Sequence, residues 1–266
     1  MTHYRQYGIP PYPIAVIHGG PGAGGEMAPV ARELHKTFPS ILEPIQTETT
    51  LQGQIQELYD VLSAQCSLPV MLVGYSWGAW LSIFLAAQYP DIVRKLILVG
   101  CPPFEQKYAS QILATRMDHL DPTEQEELQS VLAALSKVDS QTKDGILSRL
   151  GYLAGKADSY DPLPNPEHEN DRVGTHAEIF QNVFSEAAQL RCNGELITIT
   201  AKITCPVVAI HGDYDPHPAE GVKQPLTGIL PDFRFVLLKK CGHTPWLERY
   251  GQAPFYEALL EEIQIT

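Results

Sequence analysis

Short apolar runs, rich in β-branched residues and too brief for buried helices, recur at Ile14–His18, Ile41–Ile45, Val70–Gly74, Leu96–Gly100, Val207–His211 and Phe233–Leu238. Longer stretches of helical period lie between and after them: Glu26–Phe38, Leu51–Gln65, Trp77–Gln88 and Pro245–Ile263. A strand that is apolar at nearly every position has no polar face to offer to water, so both its faces must be covered. Helices alternating with strands give that cover on either side of a mostly parallel sheet. The expected fold is α/β with about six strands. A chain of 266 residues, 44% of them hydrophobic, can bury one large core, or a core and a smaller lobe.

One connection departs from the rhythm. Loops between strand and helix usually span ~2–6 residues, yet the 101 residues from 104 through 204 separate the fourth run from the fifth. They carry helix signals of their own. Asp121-Pro122-Thr123-Glu124 sets an N-cap, a first-turn proline and a glutamate able to reach back, ahead of Leu128, Val131, Leu132, Leu135 and Val138. Thr175-His176-Ala177-Glu178 repeats the pattern before Phe180, Val183, Phe184, Ala187 and Leu190, with Gly194 past the end. Tyr160–Asn170, with Pro162, Pro164 and Pro166, reads as an irregular link between these helices. The expectation is a core of 1–103 and 205–266 with a helical cap, 104–204, inserted into it.

Nineteen basic residues against 31 acidic ones leave a net charge of −12. Such a field repels phosphate backbones and anionic lipid, so neither nucleic acid nor a membrane surface is an expected partner. A small molecule or short peptide is. No apolar run approaches the ~20 residues needed to cross a bilayer, and Met1-Thr2-His3-Tyr4-Arg5-Gln6 lacks the apolar region of a secretory signal. The five cysteines, Cys66, Cys101, Cys192, Cys205 and Cys241, are odd in number and hold no C-x-x-C pair, as expected of reduced thiols in a cytoplasmic protein.

Chemistry concentrates where the apolar runs end. Gly74-Tyr75-Ser76-Trp77-Gly78 joins a strand to a helix as a G-x-S-x-G turn, which strains the serine backbone and lifts its hydroxyl above the sheet edge. Without that context the same five residues could be a glycine-rich turn with no chemistry. His18-Gly19-Gly20-Pro21-Gly22-Ala23-Gly24-Gly25 follows the first strand and can aim a backbone N–H at a ligand oxygen. Pro21 has no N–H, so Gly20 is the expected first donor to an oxyanion, and Trp77, at the positive end of its helix, the second. No G-x-G-x-x-G in register and no G-K-[ST] supports a phosphate loop instead. His18 reads as a structural hydrogen-bonder.

Two further segments place ionisable residues past strand ends, where α/β sheets build their sites: His211-Gly212-Asp213-Tyr214-Asp215-Pro216-His217 and Cys241-Gly242-His243-Thr244-Pro245-Trp246. A serine hydroxyl needs an imidazole to take its proton and a carboxylate to hold that imidazole in the right tautomer. His243 is the expected base. Spacing alone does not separate Asp213 from Asp215 as the acid. His211, Asp213, Asp215 and His217 also alternate as ligands of a metal could. With no partner His/Cys cluster elsewhere, and with Ser76 and the Gly19–Gly25 loop unexplained by it, no metal is expected, nor any cofactor.

These motifs together resemble the α/β-hydrolase superfamily, and within it the prolyl aminopeptidases (proline iminopeptidases). The likeness lies in His18-Gly19-Gly20-Pro21-Gly22, Gly74-Tyr75-Ser76-Trp77-Gly78, Gly212-Asp213-Tyr214-Asp215 and Gly242-His243-Thr244-Pro245-Trp246. It spans most of the sheet and implies a Ser76–His243–Asp215 triad in the family's Ser…Asp…His order. The acid of the family stands three residues after the glycine, which maps to Asp215. Two features depart from the branch. Glu43-Pro44-Ile45-Gln46-Thr47-Glu48 replaces its D-x-R-G-x-G segment, and only 13 residues precede Ile14, so its N-terminal antiparallel hairpin is expected to be missing or shortened.

The implied reaction is hydrolysis of an ester or amide through an acyl-serine, with a carboxylesterase as one alternative and a C–C hydrolase or lyase on the same triad as another. A ligand-binding protein without catalysis is the reading from a different class, and the intact triad argues against it. The prolyl aminopeptidase likeness would place cap carboxylates such as Glu169, Glu178 or Glu186 on a substrate ammonium, although Glu178 also fits its capping role and Glu186 a solvated face. In a triad the acid must accept the imidazole N–H, and an amide in its place favours the wrong tautomer, at a cost of ~10⁴ in rate for the Ser-His-Asp template. Asp215→Asn is therefore expected to damage turnover far more than Asp213→Asn. The reverse ranking in the kinetics of the two purified variants would move the role to Asp213.

Overall fold

The computed structural model describes residues 3–22, 24–135, 140–164, 171, 173 and 177–265. Its strands are β1 (Tyr4–Tyr7), β2 (Tyr12–Ile17), β3 (Ile41–Pro44), β4 (Cys66–Tyr75), β5 (Val93–Val99), β6 (Val207–Gly212) and β7 (Phe233–Leu238). They form one sheet in the order β1-β3-β2-β4-β5-β6-β7, in which every pairing is parallel except that of β1 with β3. All six apolar runs became strands. β1 is the addition. Its Tyr-Arg-Gln-Tyr sequence has no apolar signal because it forms a half-buried edge paired on one side only. It lies beyond β3 rather than in a hairpin with β2, so a single strand stands where a hairpin was expected to be missing or shortened.

The continuous apolar character of β4 is used on both faces. Val70 and Leu72 belong to one buried cluster, Met71 and Val73 to the other, and Leu96 and Leu98 alternate with Ile97 and Val99 in the same way along β5. Helices α1 (Ala28–His35) and α11 (Gln252–Gln264) cover the Met71 face. Helices α2 (Leu51–Gln65) and α3 (Trp77–Gln88) cover the Leu72 face. From Trp77 through Ala86 every residue of α3 is buried, as a helix apolar all round must be. The last expected helix, Pro245–Ile263, divides: Pro245–Leu247 is a 3-10 turn and α11 begins only at Gln252. Between them the buried Glu248 is extended and its side chain serves backbone N–H groups outside the helix.

Residues between β5 and β6 hold α4 (Gln106–Ala109), α5 (Ile112–Asp118), α6 (Pro122–Leu135), α7 (Ser140–Ala157), α8 (Ala177–Cys192) and α9 (Glu195–Thr200). The capping box ahead of α6 is reciprocal: Glu124 N donates to Asp121 Oδ1 at 3.0 Å, and Asp121 N to Glu124 Oε2 at 3.3 Å. The second expected box, at Thr175, lies outside the described residues. Leu120, Leu128, Leu153 and Ala157 make a small core of their own. Ile179, Val183, Ala187 and Leu196 instead join the core beneath α3, so α8 and α9 pack as part of the sheet's own layer. The sequence showed no helix between β6 and β7, yet α10 (Glu220–Ile229) is there, its pattern obscured by Pro225 within it. All five cysteines are free. Among the described residues no helix is long and apolar enough to cross a membrane.

A lysine is buried in the sheet itself. Lys95 Nζ in β5 is 3.0 Å from Glu262 Oε2 of α11 and also meets the carbonyls of Glu262 (2.5 Å) and Ile265 (3.2 Å), while Arg234 pairs with the other Glu262 oxygen. Removing one partner of a buried pair strands the other charge, which typically costs ~3–5 kcal/mol. Glu262→Ala is expected to lower stability by about 3 kcal/mol, read from the urea unfolding midpoint. An unchanged midpoint would mean that water already reaches Lys95.

Candidate active site

Ser76 is the single residue between β4 and α3, and its φ of 50° and ψ of −117° lie where side-chain-bearing residues are strained. Neighbouring glycines explain how the strain is held. A Cβ on Gly74 would overlap the Gly78 carbonyl oxygen, and one on Gly78 would overlap that of Ile17. The helix can thus start directly against β2 and β4. Ser76 N donates to Val99 O at 2.9 Å and Ser76 O accepts from Ala79 N at 3.0 Å, fixing the turn on both sides.

β6 and β7 run parallel beside β5, so the loops after them open on the same edge of the sheet as Ser76. There His243 Nε2 is 3.1 Å from Ser76 Oγ and His243 Nδ1 is 2.7 Å from Asp215 Oδ2. A proton on Nδ1 satisfies the carboxylate and leaves the Nε2 lone pair facing the hydroxyl. Asp215 and His243 are buried. Burial would raise the Asp215 pKa, but the imidazoles of His243, His217 and His211 hold it well below the usual carboxylate range. Burial works against a charged His243, yet the Asp215 carboxylate and its hydrogen bond outweigh that and raise the ring above its ordinary 6.5. Asp213 is exposed, accepting from Cys241 N at 3.4 Å with Lys239 Nζ at 3.6 Å. Spacing had left two aspartates, and the chain brings Asp215 to His243.

The alternating run does not converge as four ligands. Asp215, His217 and His243 place one potential ligand atom each within 4.8 Å of one another, but every one of these contacts is also a hydrogen bond or ring contact. His211 Nε2 bonds to His217 O at 2.8 Å.

The glycine loop lies against the serine turn: a Cβ on Gly19 would stand 2.9 Å from the Tyr75 ring. Gly20 has a φ of 37°. Trp77 begins α3, so its N–H has no partner within the helix. His18 anchors the loop, donating from Nδ1 to Gly19 O at 2.7 Å and accepting from Gln46 N at Nε2, 3.1 Å away. Burial drives its pKa down to about 4, which keeps the neutral ring that this arrangement requires.

Sequence reasoning missed the groups that tie residues 158–163 to the His243 loop. His243 N donates to Asp158 O at 2.7 Å, and Leu163 N to Leu247 O at 2.7 Å. The Glu248 carboxylate accepts from the backbone N–H of Tyr160 (2.8 Å), Asp161 (2.8 Å) and Gly242 (3.1 Å). Asp158 is held by both arms of Arg116, at 2.7 and 2.6 Å. No spacing rule links positions this far apart in sequence. Of the acids named for a substrate ammonium, Glu178 is exposed, Glu186 accepts the first N–H of α2 from Leu51 at 2.9 Å, and Glu169 lies outside the described residues.

The family model described as alpha/beta hydrolase fold matches residues 68–250, and the chain belongs to that family. Pimeloyl-(acyl-carrier protein) methyl ester esterase of Chromobacterium violaceum is 22% identical over 262 residues, covering 94% of each chain. Among solved structures VinJ superposes with a TM-score of 0.72 at 20% identity, covering 98% of this chain and 94% of that one. The proline iminopeptidase of Mycobacterium smegmatis gives a TM-score of 0.67 at 17% identity, covering 98% and 93%. Family and relatives together place the chain among alpha/beta-fold hydrolases.

Hydrogen bonds to a charged acceptor contribute ~1.5–3 kcal/mol each, and Glu248 accepts three from the backbone. Glu248→Ala is expected to lose about 3 kcal/mol of stability in urea unfolding, and to slow fluorophosphonate labelling of Ser76 in the folded fraction. A variant with unchanged stability and labelling would show that the loop holds His243 without it.

Proposed function

We propose that this chain is a serine esterase that hydrolyses small, uncharged or cationic esters through an acyl-Ser76 intermediate. The observation that carries the reading is the hydrogen-bonded line from Ser76 Oγ to His243 Nε2 at 3.1 Å and from His243 Nδ1 to Asp215 Oδ2 at 2.7 Å. In this mechanism the Nε2 lone pair takes the hydroxyl proton while Oγ bonds to the acyl carbon. The N–H groups of Gly20 and Trp77 receive the oxyanion, a contribution of ~3–4 kcal/mol for such a donor. The imidazolium returns the proton to the leaving alkoxide as the C–O bond breaks. Water, deprotonated by the same ring, then releases the acid and restores Ser76. Asp215 stays ionised throughout and keeps the ring in register.

An ester, rather than an aminoacyl amide, is favoured on two grounds. The Chromobacterium relative that covers nearly the whole chain is an ester hydrolase by name. An aminopeptidase would also need a carboxylate open to the substrate ammonium, and among the described residues the buried Asp158 beside the His243 loop is already held by Arg116. A prolyl aminopeptidase remains the second reading, supported by the fold of the Mycobacterium enzyme. Residues 104–204 serve in this reading as the cap of a core formed by 1–103 and 205–266, and the bonds from 158–163 to the His243 loop support it. Five free thiols support a cytoplasmic setting.

The test is turnover of p-nitrophenyl butyrate, proline p-nitroanilide and the N-acetylated anilide by the wild type, Ser76→Ala and His243→Ala. The ester should be the best substrate, and each variant should lose on the order of 10⁶ in kcat. Because His243 must be neutral to accept a proton and its pKa is raised, activity should climb with pH through a midpoint above 6.5. Strong preference for the free prolyl anilide would move the function to an aminopeptidase. Ser76→Ala with more than a few per cent of wild-type turnover would remove Ser76 from the mechanism.

A further inference from the structure

We propose that His217 is a positioning residue for the base: it holds one oxygen of the Asp215 carboxylate so that the other stays aimed at His243. The proposal rests on the reading of Ser76, His243 and Asp215 given above. The two oxygens have separate partners. Oδ1 accepts from the His217 backbone N–H at 2.9 Å and from its ring Nδ1 at 2.7 Å. Oδ2 meets His243 Nδ1 at 2.7 Å, with His211 Nε2 farther off at 3.5 Å. Turning the carboxylate to release His243 would break both bonds at Oδ1 together.

His217 is itself fixed from several sides. It lies between Pro216 and Pro218, which lack an N–H and restrict φ, so its N–H is the only backbone donor of that tripeptide. Its carbonyl accepts from His211 Nε2 at 2.8 Å, which roots the turn in β6. Both groups near His211 Nε2 are acceptors, so that nitrogen carries the proton. His211 Nδ1 is then a buried lone pair, with no hydrogen-bond partner among the described residues. Leaving an acceptor unpaired is unfavourable, and here it accompanies the tautomer that braces His217. The His217 ring also packs on that of His243, with centroids 4.5 Å apart and 30° between planes.

The ring does this as a neutral group. Burial, working against the pull of Asp215, lowers the His217 pKa below its ordinary value. A charged ring here would compete with His243 for the carboxylate and make His243 a weaker base. The neutral Nδ1–H takes a share of the carboxylate's hydrogen bonding without adding that charge. Asp158, Arg116 and Tyr75 also face His243, and Cys101 faces Asp215 from beyond β5. A substitution at 217 leaves all of them in place.

The experiment compares His217→Phe, which fills the ring's space without an N–H, with His217→Asn, whose amide can stand where Nδ1 was. The readouts are kcat and KM for p-nitrophenyl butyrate and the rate of fluorophosphonate labelling of Ser76, each against pH, with folding checked by urea unfolding. His217→Phe should lose about 10–100-fold in kcat with KM little changed, because misplacement of a catalytic group acts on the chemical step. Its acid limb should move to lower pH, since a carboxylate no longer aimed at His243 holds that ring's proton less well. His217→Asn should recover most of the rate and the wild-type limb. His217→Ala serves the same comparison if the Phe variant does not fold. A folded Phe variant with wild-type kcat and limb overturns the proposal. So does an Asn variant as impaired as the Phe variant with the limb unmoved, which would leave only a space-filling role. Ser76→Ala run in parallel separates the two levels: surviving turnover there removes the parent reading, whereas an inert Ser76→Ala beside an unaffected His217→Phe removes this proposal alone.

Discussion

The backbones of α3, β2 and β4 approach so closely at Gly74 and Gly78 that no side chain fits between them, and much of the molecule follows from that contact. It lets the helix begin one residue after the strand ends, which forces Ser76 to a positive φ. It also sinks α3 into the sheet, so that all its faces are buried and must be apolar. Layers on both sides then depend on it. Trp77 and Trp80 reach hydrogen-bond partners at Gln54 and the Pro102 carbonyl from inside the core, and α8 and α9 join the same cluster.

Around this apolar frame a small set of buried carboxylates does the joining. Glu262 receives Lys95 from the middle of the sheet, and Asp158 receives Arg116. Glu248 gathers three backbone N–H groups from two segments, and Asp215 is ringed by three histidines. An unpaired buried carboxylate is costly, so each one specifies where its partners must be. One of the four, Glu248, links residues inserted after β5 to the loop bearing His243, and the Asp158 backbone carbonyl makes a second link there. The same insertion is also continuous with the main core through Ile179, Val183 and Ala187. Movement of residues 158–163 would therefore be felt at His243 N, which donates to the Asp158 carbonyl.

The Mycobacterium protein, at 17% identity, shares this fold along nearly the whole chain. The strand ends that carry Ser76, Asp215 and His243 belong to the sheet, whereas the segment between β5 and β6 is built from separate helices, of which the earlier ones share a small core and α8 and α9 join the main one.

Legibility from the sequence followed the range of the interactions. Strands β2 to β7, helices α2 and α3, the capping box at Asp121 and the G-x-S-x-G turn were all readable because each is written in neighbouring residues: apolar runs, a period, a cap, a pair of glycines. Sequence order also put polar residues past the ends of the parallel strands β4, β6 and β7, and the family resemblance is what named Asp215 beside Ser76 and His243. β1 was not readable, since a one-sided edge strand buries too little to need an apolar pattern. Nor was the break before α11, where Glu248 leaves the helical path to serve N–H groups of residues about ninety positions earlier. Spacing allowed Asp213 or Asp215, and allowed His217 as a metal ligand. Only the folded chain turned Asp213 outward, put Asp215 against His243, and set His217 on the carboxylate's other oxygen. The sequence by itself determined the layers and the turns, because those depend on local pattern. The tertiary structure decided which polar groups share a buried carboxylate, because that depends on the approach of segments whose separation along the chain carries no signal.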